Sequence, residues 1–156
     1  MIIRKKCLVR CLFTVYAAAV LAVLFLRRYP TYIGEIYWES VLLHLQLVPF
    51  GGLIGVLTAP LFSARLLLEN LANLIGNCVL FLPLGIFLPL LWKRCRRGLH
   101  TMGIVLFLGA ALEAAQMFLL VGIFDTTDIL MYLLGTGIGF SIWKAISRRC
   151  SAASKP

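Results

Sequence analysis

Residues Leu71–Leu91 read LANLIGNCVLFLPLGIFLPLL, 21 positions without a charged side chain, and WKRCRR (Trp92–Arg97) follows directly. A bilayer hydrocarbon core of about 30 Å takes about 20 mostly apolar helical residues to cross. The stretch therefore reads as a membrane span. The four cations behind it, Lys93, Arg94, Arg96 and Arg97, read as its cytoplasmic anchor.

Three more stretches repeat the pattern. Cys7–Leu26 is interrupted only by Arg10 near its start, where a long stem reaches back to the interface. Leu99–Val121 is long enough to cross. Ile129–Ile146 is short by a turn and has to stand nearly upright or borrow its neighbours. Across the whole chain, 62% of 156 residues are hydrophobic and 13% are charged. A soluble domain has about 45–50% apolar and about 25% charged residues. So polar a deficit excludes a soluble domain, a disordered chain and a disulfide-stapled secreted module. The expected fold class is an all-α integral membrane protein with four transmembrane helices plus a re-entrant or interfacial segment.

Arg4, Lys5 and Lys6 resemble the basic start of a signal peptide. However, the small run Ala17–Ala19 is followed by seven more apolar residues, so an uncleaved first span is expected. Between Tyr29 and Asn70 the pattern is ambiguous. Val41–Phe62 is apolar, but His44, Gln46, Pro49 and Gly55 suit a re-entrant or interfacial element better than a clean crossing. The expected organisation is one domain: an N-terminal helix over 1–28, an outer segment over 29–70, a three-helix core over 71–146 and a basic tail over 147–156.

The net charge of +9 comes from 15 Lys and Arg against 6 Asp and Glu. The cations form separated knots beside the apolar stretches rather than one stripe, which argues against nucleic-acid binding. Four crossings put twelve cations on one side, from Arg4, Lys5, Lys6 and Arg10 to Lys144, Arg148, Arg149 and Lys155. Only Arg27, Arg28 and Arg65 fall on the other. The positive-inside rule then places both termini in the cytoplasm of a cell with a plasma-membrane, multi-pass protein. Trp38, Trp92 and Trp143 read as interfacial anchors. The five cysteines show no metal-ligand spacing and are expected as free thiols; neither a metal site nor a cofactor is indicated.

With this topology all six acids, Glu35, Glu39, Glu69, Glu113, Asp125 and Asp128, lie on the outer side or within a span. Asn70, Asn73 and Asn77 step by three and four, so they share one face of the second span. Glu113 and Gln116 share a face of the third. Asp125, Asp128, Tyr132, Gly135 and Gly139 form a stripe on the fourth. All of these fall in the outer half of the bilayer, so three helices offer polar faces at one depth. A structural reading stands beside this: amides bonding neighbouring helices, glycines permitting close approach, and aspartates capping the fourth helix. Against glue alone stands Glu113, because a carboxylate at mid-helix costs roughly 2.5–3.5 kcal/mol on insertion scales. Pro83 and Pro89 free the carbonyls of Val79 and Gly85 and should loosen the second span.

The order of these motifs resembles the VanZ-like family. Asn73-Leu-Ile-Gly76-Asn77 running on to Pro83-Leu-Gly85 resembles its GN-apolar-PxG signature. Glu113-Ala-Ala-Gln116 follows, and then Asp125-Thr-Thr-Asp128 leading into Gly135 and Gly139. Val48-Pro49-Phe50 resembles the family's NLxPF element. The match covers roughly residues 45–146. Two positions depart: Gln46 and Tyr132 stand where the family usually has Asn. Gln46 keeps the amide chemistry, whereas Tyr132 keeps only a hydrogen-bonding hydroxyl. The resemblance implies a bacterial cell-envelope membrane protein and links it to teicoplanin resistance without supplying a mechanism.

The leading functional expectation is a binding protein. Asn73, Asn77, Glu113, Gln116, Asp125 and Asp128 would form an outer-leaflet pocket for membrane lipid or a lipid-linked cell-wall ligand, affecting glycopeptide susceptibility. The alternative is an enzyme with Glu113 or Asp128 as base, or with three carboxylates holding Mg²⁺ or Ca²⁺. A proton-linked transporter is disfavoured, because the inner halves of the helices lack polar groups to continue a path.

Overall fold

A computed structural model of the chain describes residues 2–26, 36–59 and 63–153. Arg27, Arg28, Glu35 and Lys155 lie outside the described residues, as do the side chains of Arg4, Lys5 and Cys150. The elements are α1 (Ile2–Leu21), widening into a π-helical turn at Ala22–Leu26; α2 (Tyr37–Leu43); β1 (Leu45–Gln46); α3 (Gly51–Thr58); α4 (Ala64–Leu91); a 3₁₀ turn (Lys93–Arg96); α5 (Gly98–Phe118); β2 (Phe124–Asp125); and α6 (Thr126–Ala153). Among the described residues, four helices are long and apolar enough to cross a membrane: Lys6–Leu26, Ala64–Leu91, Gly98–Phe118 and Thr126–Arg149. The protein is an all-α membrane protein.

Helix ends differ from the apolar boundaries for local reasons. The second span starts seven residues early, at Ala64, because Ser63 accepts from the Leu66 N–H and an exposed Arg65–Glu69 pair supports the first turns. It continues unbroken through Pro83 and Pro89. The fourth helix is not short: it begins at Thr126, because Asp125 Oδ1 accepts from the Thr127 N–H at 2.7 Å, and it runs on to Ala153. The third helix stops at Phe118 rather than Val121. There the Leu120 N–H donates to the Met117 carbonyl and the Val121 N–H to the Gln116 carbonyl, with Leu120 at φ 55°. That is a Schellman cap in which leucine takes the place usually held by glycine.

Within 41–62, the described residues 41–59 do not form a fifth crossing helix. They hold the last turns of α2 and the whole of α3, of seven and eight residues, each about 10–12 Å long. Instead the segment is tied to the entrance of α6. β1 pairs in parallel with β2, matching Leu45 to Phe124 and Gln46 to Asp125. The Phe124 N–H donates to the His44 carbonyl at 2.8 Å, and Thr126 Oγ1 donates to the Leu47 carbonyl at 3.1 Å. The Phe50 N–H, on a residue at φ 59°, donates to Thr127 Oγ1 at 2.8 Å.

α4 and α6 pack more closely than any other pair of helices. A Cβ on Gly135 would overlap the Cys78 carbonyl oxygen, one on Gly139 the Leu82 carbonyl, and one on Gly85 the Thr136 carbonyl. The glycine stripe thus lets two backbones touch, as small residues do in membrane bundles. Around this contact lies a core of Phe81, Leu84, Leu88, Cys95, Val105 and Tyr132, joined from α1 by Val20 and Leu24. α1 lies against α4 through Tyr16, whose hydroxyl donates to the Leu80 carbonyl at 2.7 Å. Phe13 and Tyr16 also meet Phe87 with ring centroids 5.7 and 5.5 Å apart.

The turns at 92–97 and 119–125 are short, so α4, α5 and α6 alternate in direction. The start of α4, the end of α5 and the start of α6 therefore share one end of the bundle. The end of α1 joins them, since Gln116 Nε2 donates to the Leu24 carbonyl at 3.0 Å. The opposite end carries Lys93, Arg94, Arg96 and Arg97 in the turn, Lys6 and Arg10 early in α1, and Lys144, Arg148 and Arg149 late in α6.

Candidate functional site

The acidic residues of the spans gather at the end away from the cations. Glu113, on the buried face of α5, is 0% exposed. Its Oε1 accepts from the Tyr132 hydroxyl of α6 at 2.6 Å, and its Oε2 from the Asp125 N–H at 3.3 Å. Asp125 in turn uses Oδ1 to cap α6 and Oδ2 to accept from Gln46 Nε2 at 3.0 Å. A continuous chain Gln46–Asp125–Glu113–Tyr132 thus links the interfacial segment to two spans. Tyr132 is held from the other side by a parallel stack on Phe81, with centroids 3.8 Å apart and planes at 20°. Charge-assisted hydrogen bonds of this kind offset the cost of a buried carboxylate.

Asp128 is buried and accepts from Asn73 Nδ2 at 3.1 Å, one turn into α6. This pair links α4 to α6. Asn73 itself is exposed at the surface of the bundle. Gln116, 1% exposed, serves α1 by satisfying a carbonyl in its final turn. Asn70 bonds back to the Leu66 carbonyl on its own helix. Asn77 differs from all of these. It is 7% exposed, yet its Nδ2 has no hydrogen-bond partner among the described residues.

The six anticipated residues therefore share one end of the bundle but do not converge on one open pocket. Glu113, Gln116 and Asp125 are committed to internal bonds, and Glu113 and Gln116 are sealed from any ligand. Asn73 and Asn77 face a groove of about 370 Å³ together with Val23, Leu24, Ala72, Gly76 and Leu80. Among the described residues, the three carboxylates do not form a metal-holding cluster with any His or Cys or with one another.

Sequence reasoning missed Tyr132 as a site residue, and also Gln46, Thr127 and His44. Gln46 and Tyr132 carried a signal, since both stood at departures from the motif pattern with polar atoms retained. Thr127 carried none: it lies between two aspartates and looks like linker. His44 caps α2, with Nδ1 2.6 Å from the Ser40 carbonyl, so the ring proton sits on Nδ1.

No curated protein and no solved structure matches the chain. The family model VanZ/LLP1 matches residues 13–147, nearly the whole chain and including most of the first span, and the chain belongs to that VanZ-like family.

Proposed function

We propose that this VanZ-like membrane protein binds a lipid-linked or cell-wall-associated ligand at the outer leaflet of a bacterial plasma membrane, and through it alters glycopeptide susceptibility. The observation that carries the reading is the placement of the whole polar network and its groove at the bundle end opposite the cation clusters. By the positive-inside rule, that end faces outward. Glu113, Asp125, Gln46 and Tyr132 hold the interfacial segment against the spans. Asn73, Asn77 and Asp128 line or flank the space left for the ligand. Amides and a carboxylate suit hydroxyl and amide groups, while the apolar walls suit a hydrocarbon chain.

The enzyme reading is weaker on the same geometry. Both oxygens of Glu113 already accept hydrogen bonds, and its side chain has no exposed surface from which to take a substrate proton. The test pairs Glu113→Gln with Asp128→Asn in a strain whose teicoplanin susceptibility depends on this protein. Native mass spectrometry of the purified protein reads the envelope lipids it retains. Both variants are expected to lower lipid retention and move susceptibility toward that of the deletion strain. Unchanged retention together with unchanged susceptibility overturns the proposal.

A further inference from the structure

The cationic end of the bundle holds a groove of its own. It lies beside the turn that leaves the second span and has a volume of about 530 Å³, lined by Leu88, Trp92, Lys93, Arg94, Cys95 and Ile104. Ligand pockets typically span about 300–1,000 Å³. Leu88 and Cys95 are buried and form its floor, while Trp92 and Ile104 are 48% and 44% exposed, so the groove is open at the surface of the bundle. Its walls are almost wholly apolar.

Lys93 and Arg94 line this groove and are themselves exposed. Apolar walls offer their charged ends nothing, so the stems lie along the groove and the heads stay at its rim. All nine described cations of this end are exposed, and none of the described acids lies there. Glu69, Glu113, Asp125 and Asp128 belong to the opposite end. Glu39 stands two residues from Tyr37, whose hydroxyl donates to the Phe118 carbonyl at the end of α5. The cationic turn is pinned rather than loose. The Cys95 N–H donates to the Trp92 carbonyl at 3.1 Å and the Arg97 N–H to the Arg94 carbonyl at 3.3 Å. Thr101 Oγ1, fully buried, donates to the Cys95 carbonyl at 2.6 Å. Trp92 stands edge-on to Phe13, with centroids 5.7 Å apart. A groove held in this way loses little freedom when it is filled.

An occupant has to lay an apolar chain against Leu88, Trp92 and Ile104, and set an anion beside Lys93 and Arg94. It also has to arrive from the bilayer. A soluble anion has no chain for the groove, and a zwitterionic lipid brings a cation of its own to a cluster of cations. An anionic phospholipid meets every demand. We infer that the groove at the cationic end binds an anionic glycerophospholipid, with its phosphate beside Lys93 and Arg94 and one acyl chain along Leu88, Trp92 and Ile104. This site stands apart from the ligand-binding reading above and lies at the opposite end of the bundle.

The test offers the full-length protein, in an uncharged detergent, equal amounts of phosphatidylglycerol and phosphatidylcholine with the same acyl chains. Native mass spectrometry counts the retained lipid. A preference for phosphatidylglycerol of about fivefold or more is expected. The double variant Lys93→Gln/Arg94→Gln should lose most of it. Arg148→Gln/Arg149→Gln removes the same charge away from the groove and should keep it, as should the charge-preserving Lys93→Arg/Arg94→Lys. Ile104→Trp keeps every cation but fills the groove, and should lower phosphatidylglycerol retention. These positions are all exposed, so the fold does not rest on their side chains. Equal retention of the two lipids by the wild type overturns the inference. Equal loss in the two glutamine variants overturns it too, because the preference would then follow overall charge rather than a site. Undiminished retention by Ile104→Trp overturns the groove as the seat of the chain.

Discussion

Tyr132 donates its hydroxyl to Glu113 and stacks its ring on Phe81, so its two halves can be removed separately. Tyr132→Phe keeps the stack and strips one bond to a buried carboxylate. It should cost about 1–3 kcal/mol, read as a lower Tm in detergent. Tyr132→Asn keeps a polar side chain but removes the ring from a site that is 1% exposed, so it should cost roughly 3–5 kcal/mol. An Asn variant at least as stable as the wild type would show that the Phe81 stack contributes nothing. At the other end of the bundle, Cys95 is 2% exposed in the turn between α4 and α5, and burial raises its thiol above the usual range. A raised value leaves less thiolate at neutral and mildly alkaline pH. A variant keeping Cys95 alone should therefore react with iodoacetamide at pH 8 more slowly than a free small thiol, gaining rate only at higher pH. At this scale the identities of Glu113, Gln116 and Asp128 were legible, because a polar residue in an apolar helix has to be explained. Their partners were not, since a hydrogen bond across 19 or 55 residues leaves no local trace.

Among the elements, α6 shows how periodicity translates into packing. Gly135 and Gly139 lie against the α4 backbone, whereas a Cβ on Gly137, between them, meets nothing within 4 Å. Gly135→Ala and Gly139→Ala should each force α4 and α6 apart and prevent a stable fold, seen as loss of a monodisperse peak on size exclusion. Gly137→Ala should be neutral or gain about 0.5–1 kcal/mol from helix propensity. Equal behaviour of all three would contradict the close approach. The stripe was visible in the sequence as steps of four, and so were all four spans. The end of α5 was not, because its Schellman cap places Leu120 in a left-handed conformation that local preference assigns to glycine. The fold of residues 41–58 was hidden for a different reason. Two short helices and a two-residue strand have no periodicity of their own. They are held by β2 and by Thr126 and Thr127, about 80 residues away in the chain.

For the molecule as a whole, charge and polarity divide between two ends. The cation knots cap one end, and Gln46, Glu113, Asp125, Asp128 and the Asn77 groove occupy the other. The functional reading depends on which end faces out, because a ligand of the cell envelope reaches only that one. The composition announced a membrane protein and the cation count an orientation. What they left hidden was that two of the acids, Asp125 and through it Glu113, are spent on holding the interfacial segment in place. The most direct test introduces Arg96→Cys and Ile123→Cys separately into a cysteine-free background and treats intact cells with a membrane-impermeant maleimide. Ile123 is 47% exposed in the turn between α5 and α6, and Arg96 is exposed in the basic turn. Labelling at position 123 in intact cells, with position 96 labelled only after permeabilisation, is the predicted result. Labelling of position 96 from outside would contradict the account.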